Sequence, residues 1–229
     1  MATSDSTTFD LNIDDIIQEA YERCGKRTNS GYDLKSARRS LNILFSEWGN
    51  RGVHLWKVEL KEQLLTAGTS TYTAPTNAND ILEAYISTTT GTTSSTNDVS
   101  LTKISRSEYA ALPNKGSTGQ PSQYYVDRQT IPQITLYQTP NASTYTYLKY
   151  YYLKRIEDAG AYTNTADVVF RFIPCMVAGL AYYLSMKYNP QVVQQNKLIY
   201  EDELQRALVE DGQRTSVYIT PQSYYPTRL

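Results

Sequence analysis

Histidine is almost missing from this chain: among 229 residues, His54 is the single one. Every arrangement that needs two imidazoles, most zinc hydrolase sites included, fails on that count. A Ser/His/Asp triad survives counting. However, no Gly-x-Ser-x-Gly elbow occurs and His54 lies at a helix-to-strand junction, so a structural role is expected for it. Cysteine is nearly as scarce. Cys24 and Cys175 fall on apolar faces of segments predicted as helix, which points to two buried thiols rather than a disulfide.

Charge of one sign is lacking too. Twenty-two Lys and Arg face twenty-three Asp and Glu, for a net charge of −1 and no basic run, so no field draws nucleic acid or an anionic membrane. Long apolar runs are missing: the stretch Val168–Met186 is broken by Arg171, Pro174 and Ser185 and is too interrupted to span a bilayer. Met1–Asp10 has neither the basic start nor the apolar centre of an export signal, and none is expected. Neither G-x-x-x-x-G-K-[ST] nor G-x-G-x-x-G occurs. The nearest glycine-rich piece, Gly116–Gly119, leads into Pro121 and a strand, without the helix N-terminus that holds phosphate, so no cofactor is expected. Carboxylates cluster at Asp14–Asp15 and at Glu201, Asp202 and Glu203. On a helix, adjacent positions diverge by about 100°, so these read as solvated faces rather than converging acid and base.

What the chain does hold is tyrosine, 21 residues against 4 Phe and 2 Trp. Tyrosine carries apolar area with a polar tip and suits wet, half-buried contacts. On that ground Tyr124, Tyr125, Tyr147, Tyr150, Tyr151 and Tyr152 are candidates for an interface with another subunit or protein.

The periodicity predicts an α+β protein. Asn12 caps a helix with its stripe at Ile13, Ile16, Ile17, Ala20 and Cys24, stopped by Gly25. Leu34, Ala37, Leu41, Leu44, Phe45 and Trp48 form a second stripe ending at Gly49 and Gly52, and the two helices should pair as a hairpin over residues 1–54. Residues 55–160 read as an antiparallel β-rich insert, with strand signals at Trp56–Leu60, Thr69–Thr73, Ile81–Ser87, Val99–Ile104, Tyr124–Arg128, Ile134–Tyr137 and Thr144–Leu153. Between the third and fourth lies Thr88–Asp98, rich in Thr and Ser, which should be a mobile hairpin tip. Ser105 and Glu108 form a capping box for one short helix. The run TYTYLKYYYLKR is bulky on both faces and needs cover on both sides. Residues 161–212 hold a helical pair that completes one helical layer with the N-terminal hairpin. The tail, 213–229, contains two prolines and three tyrosines without an acid, and should be an extended arm that becomes ordered on a partner.

Two stretches carry a resemblance. GQPSQYYVDRQTIPQITLYQTPNASTYTYLKYYYLKRIEDAG has a Gly-x-Pro entry, a Tyr-rich strand, a Pro-bounded apolar strand and a Tyr-rich return. DVVFRFIPCMVAGLAYYLSMKYNPQ, followed by YEDELQRALVEDGQRTS, places Arg171, Phe172 and Pro174 before the run Gly179, Leu180, Ala181. With the N-terminal hairpin, these resemble head-to-tail connector (adaptor or neck) proteins of tailed, short-tailed bacteriophages, over about Leu11–Ser216. The resemblance implies a structural virion protein, not an enzyme, assembled in the host cytoplasm into a ring of its own copies, usually twelvefold, at the head–tail junction. The helical bundle would form the ring body, and the β-rich part would meet the downstream nozzle or tube protein. The arm, through Val217, Tyr218, Ile219, Tyr224, Tyr225 and Arg228, would reach the portal protein, with DNA passing through the lumen without specific recognition. Other readings are a tail-tube or nozzle subunit with the same strands stacked in a cylinder, and a carbohydrate-binding or carbohydrate-degrading module suggested by aromatic surface chemistry.

Overall fold

A computed structural model describes residues 5, 11–27, 30–51, 55–91 and 97–211. In chain order these form α1 (Ile13–Arg23), α2 (Gly31–Arg51), β1 (Val58–Leu64), β2 (Thr71–Thr73), β3 (Ala78–Ser87), β4 (Asp98–Ser100) and β5 (Thr102–Ile104). Then follow α3 (Arg106–Ala111), β6 (Thr118–Gly119), β7 (Gln123–Asp127), β8 (Gln133–Tyr137), β9 (Thr139–Pro140), β10 (Tyr147–Lys154), α4 (Ile173–Tyr188) and α5 (Val193–Asp211). The predicted α+β class holds. His54 and the arm from residue 213 onward lie outside the described residues.

The helices gather around α4, which is apolar on nearly every side because Cys175 to Ala181 and Leu184 are all buried. Pro174 is tolerated in its first turn, where no backbone donor is needed. α1 lays Ile13, Ile16, Ile17 and Ala20 against this core, and Gly25, at φ +77°, turns the chain out of the helix. α2 continues through Gly49 to Arg51. The two N-terminal helices pack chiefly on α4 and only lightly on each other, so the expected hairpin is held together by a third helix. Gly179 makes the close approach possible: a Cβ there would lie 2.9 Å from both Leu44 Cδ atoms and 2.9 Å from Tyr200 Cε2, so α2 and α5 close on α4 at this point. Trp48 Nε1 donates to Tyr200 Oη (3.0 Å), and Tyr200 and Tyr183 both donate to Glu47 Oε2 (3.2 and 3.1 Å). Arg51 bridges Glu47 and Glu201. One polar cluster, buried at Trp48 and Tyr200 and open to solvent at Arg51 and Glu201, thus ties α2, α4 and α5 together.

A second apolar core lies between two four-stranded sheets, ordered β1-β10-β3-β4 and β2-β8-β7-β5. Most pairs are antiparallel, while β5 with β7 and the short β6 with β9 run parallel. α3 begins in the expected capping box, with Glu108 N donating to Ser105 Oγ (3.2 Å) and Ser105 N to Glu108 Oε2 (2.7 Å). At the junction with the helices, buried Lys57 is ion-paired to Asp167, whose carboxylate also accepts Glu157 N (3.1 Å). Beside it, a cleft of about 400 Å³ lies between α2 (Asn42, Ser46, Asn50) and the chain leaving β10.

Candidate interaction surfaces

Strand alternation sorts the predicted interface tyrosines into two sets. Leu148, Tyr150 and Tyr152 point from β10 into the inter-sheet core, where Ile81, Ala84, Ile86, Ile134 and Leu136 meet them. Tyr150 is fully buried, its hydroxyl has no hydrogen-bond partner among the described residues, and burial pushes its pKa up to about 12. Tyr152 donates to Glu59 Oε2 (2.7 Å); burial first, then that hydrogen bond, takes its pKa to about 12, and the same bond with help from Lys154 lowers Glu59. Tyr124 enters the core from β7 and donates to Leu82 O (3.1 Å). These three are spent on holding the subunit's own sheets together.

Tyr125, Tyr147 and Tyr151 are the set left near solvent. Tyr125 stacks on Tyr109 (centroids 5.5 Å apart), and Lys115 Nζ lies 5.6 Å from the Tyr109 ring. Tyr147 and Tyr151 share the outer face of the first sheet with Leu60, Glu62, Leu64, Lys149 and Tyr85, as the register Leu60↔Tyr151, Glu62↔Lys149, Leu64↔Tyr147 and Lys149↔Tyr85 requires. Leu64 is 60 % exposed and Tyr151 37 %, and Tyr151 meets Tyr85 edge to face at 6.5 Å. An aromatic and aliphatic strip on an outward sheet face is an interaction surface in chemical terms.

Lys149 sits in the middle of that strip and is nearly fully buried. Its Nζ donates to Gly91 O (2.5 Å) and Asp98 Oδ1 (3.2 Å) and lies 3.8 Å from Glu62, while Gly91 N donates to Glu62 Oε1 (2.8 Å). The base of the Thr/Ser-rich loop, expected to be mobile, is therefore clasped onto the sheet; residues 92–96 of that loop lie outside the described residues. Nothing local in the sequence reveals this clasp, because its partners are 51 and 58 residues from Lys149.

The last described helix, α5, ends at a fixed point. Asp211, the last described residue, has a carboxylate almost closed off from solvent that receives Arg171 Nε at 2.9 Å, just before Phe172, whose ring packs on Trp48 and Trp56. Arg171 and Phe172, noted in the sequence only as part of a pattern, thus hold the end of α5. The arm residues Val217, Tyr218, Ile219, Tyr224, Tyr225 and Arg228 lie outside the described residues.

The carboxylates behave as solvated or structural groups. Glu201 is held below the usual carboxylate range by Arg51, Asp202 and Glu203 pair with Arg206, and Asp15 accepts the Asn12 N–H. Both cysteines are free and buried, and burial takes the Cys175 thiol up to about 12. Among the described residues no group of three or more His, Cys, Asp or Glu side chains converges as metal ligands, and no helix is long and apolar enough to cross a membrane.

The described residues thus form a helical core and a sheet core, with an outward tyrosine strip on the first sheet and the last turn of α5 pinned by Arg171. The chain belongs to the SU10 adaptor protein family, whose model matches residues 3–224, and is accordingly a bacteriophage adaptor protein and a virion component. The match runs over both cores and past the end of α5. No curated protein matches the sequence.

Proposed function

We propose that the protein is the head-to-tail connector: its own copies close into a ring, twelvefold, that joins the portal to the tail and surrounds the DNA exit channel. The family match over residues 3–224 carries this reading. Physical features support it. A closed ring needs unlike patches on the two sides of each subunit, and repetition multiplies modest contacts into a tight assembly. The outward strip of Leu64, Tyr147 and Tyr151 offers one contact surface toward another copy or the tail. The arm, with Tyr218, Tyr224, Tyr225 and Arg228, offers the portal contact. A net charge of −1 suits a lumen that lets DNA slide without gripping it.

Deleting Gln213–Leu229 should abolish binding to purified portal while helical circular dichroism stays unchanged. Portal binding by the deleted chain would remove the arm from the account. Electron microscopy of the assembled particle separates the connector position, directly beneath the portal, from a tube or nozzle position farther along the tail.

A further inference from the structure

We infer that residues Thr215–Thr220 of a neighbouring copy add as a fifth strand to the free edge of β1. The inference rests on the ring reading and deepens it by assigning one of the ring's subunit contacts.

β1 is the seven-residue edge of the first sheet, bonded on one side to β10. The direction of its remaining groups follows from the ladder. Leu101 N donates to Ala84 O, so even positions of β3 face β4 and odd positions face β10. The pair Lys149↔Tyr85 then belongs to the β10–β3 ladder, and Leu148, Tyr150 and Tyr152 of β10 bond across to Gln63, Lys61 and Glu59. The backbone N–H and C=O groups of Leu60, Glu62 and Leu64 therefore point out of the sheet, with no partner among the described residues. A long edge of this kind is a template for another strand.

Charged side chains are the usual protection for such an edge. Here two of them are already engaged within the sheet: Glu59 with Tyr152 and Lys154, and Glu62 with Gly91 N beside Lys149. That leaves Lys61. The same edge exposes Leu64 by 60 %, an apolar cost that a bare edge does not need.

The arm contains a matching donor. Thr215-Ser216-Val217-Tyr218-Ile219-Thr220 alternates β-branched residues with hydroxyl-bearing ones and holds no proline, and Pro221 then ends any ladder. Laid along β1, Val217 and Ile219 extend the outer strip beside Leu60 and Leu64. Tyr218 and the flanking hydroxyls fall on the other face, beside Glu59, Lys61 and Gln63. Six residues span about 20 Å, close to the length of β1. A donor at the chain end and an acceptor edge elsewhere are also the two unlike patches that a head-to-tail ring requires. The division at Pro221 narrows the portal contact proposed above: Val217, Tyr218 and Ile219 go to the neighbouring copy, and Tyr224, Tyr225 and Arg228 remain for the portal.

Two full-length variants, one carrying Leu60→Cys and the other Val217→Cys or Ile219→Cys, are mixed at ring-forming concentration and oxidised with diamide. Disulfide-linked dimers are expected, reversed by reductant and absent from the wild type, whose Cys24 and Cys175 are buried. In wild-type rings, amide exchange at Leu60, Glu62 and Leu64 should be slower by a factor of about ten or more than in a chain carrying Val217→Pro and Ile219→Pro. Rings of normal mass without crosslinks, with equal exchange, overturn the strand addition and leave the ring reading standing. A crosslink that forms only when both cysteines share one chain overturns donation between copies. A chain that neither rings nor crosslinks overturns both.

Discussion

Replacing Gly179 by alanine sets two effects of similar size against each other. Alanine in a helix interior is favoured over glycine by ~1 kcal/mol. Its methyl group, however, would stand 2.9 Å from the Leu44 methyls and from the Tyr200 ring, both fully buried, and Tyr200 is further held by Trp48 and Glu47. Overpacking of a filled core typically costs ~1–3 kcal/mol. Gly49 is the internal control: it also lies in a helix, and a Cβ there meets nothing within 4 Å, so Gly49→Ala keeps the propensity gain without the clash. Subtracting one variant from the other cancels propensity and leaves crowding. We expect Gly179→Ala to be less stable than Gly49→Ala by ~1–3 kcal/mol, a Tm separation of roughly 2–12 °C for a chain of this size. Urea and thermal unfolding, followed by circular dichroism where the chain is monomeric, provide the measurement. Equal stabilisation by both substitutions would refute the close three-helix contact at Gly179.

Tyr200→Phe keeps the ring but strands the Trp48 N–H in the core. It should cost ~1–3 kcal/mol, and adding Trp48→Phe should recover part of that loss in a double-mutant cycle, which strict additivity would contradict. Tyr124, Tyr150, Tyr152 and Tyr183 have pKa values raised by burial to about 12 from an ordinary 10. The unfolded chain therefore releases these protons first, so stability should be intact below pH 10 and fall as pH rises beyond it. Absorbance at 295 nm should show these phenols ionising together with the loss of near-ultraviolet circular dichroism; their smooth titration in a folded chain would contradict their placement. Lys149→Met removes the clasp under the Thr/Ser-rich loop, and proteinase K should then cut within Thr88–Asp98 several times faster with little change in helical signal. An unchanged cleavage rate would show that the clasp does not restrain the loop.

The elements were legible where side-chain period and capping act locally. The stripe of α1, the Ser105–Glu108 box and the strand signals at Ile81–Ser87 and Ile134–Tyr137 all reappear as built elements. The helix-helix arrangement was not legible in the same way. α1 and α2 are adjacent in sequence, yet each finds more apolar surface on α4, whose burial is nearly all-round. The tyrosines show the same limit. Their number suggested interfaces, but period-two alternation and a partner sheet contributed by β2, β5, β7 and β8 take Tyr124, Tyr150 and Tyr152 inside and leave Tyr125, Tyr147 and Tyr151 near the surface. The Trp48–Tyr200 bond and the Arg171–Asp211 pair join positions 152 and 40 residues apart, and no spacing rule on one sequence brings them together.

The connector role is tested most directly by weighing the protein in solution, alone and mixed with the portal protein of its own phage. Native mass spectrometry should then show one ring of discrete copy number seated on each portal, lost on deletion of Gln213–Leu229. A chain that never associates with the portal at any ratio, with or without its arm, would contradict the account.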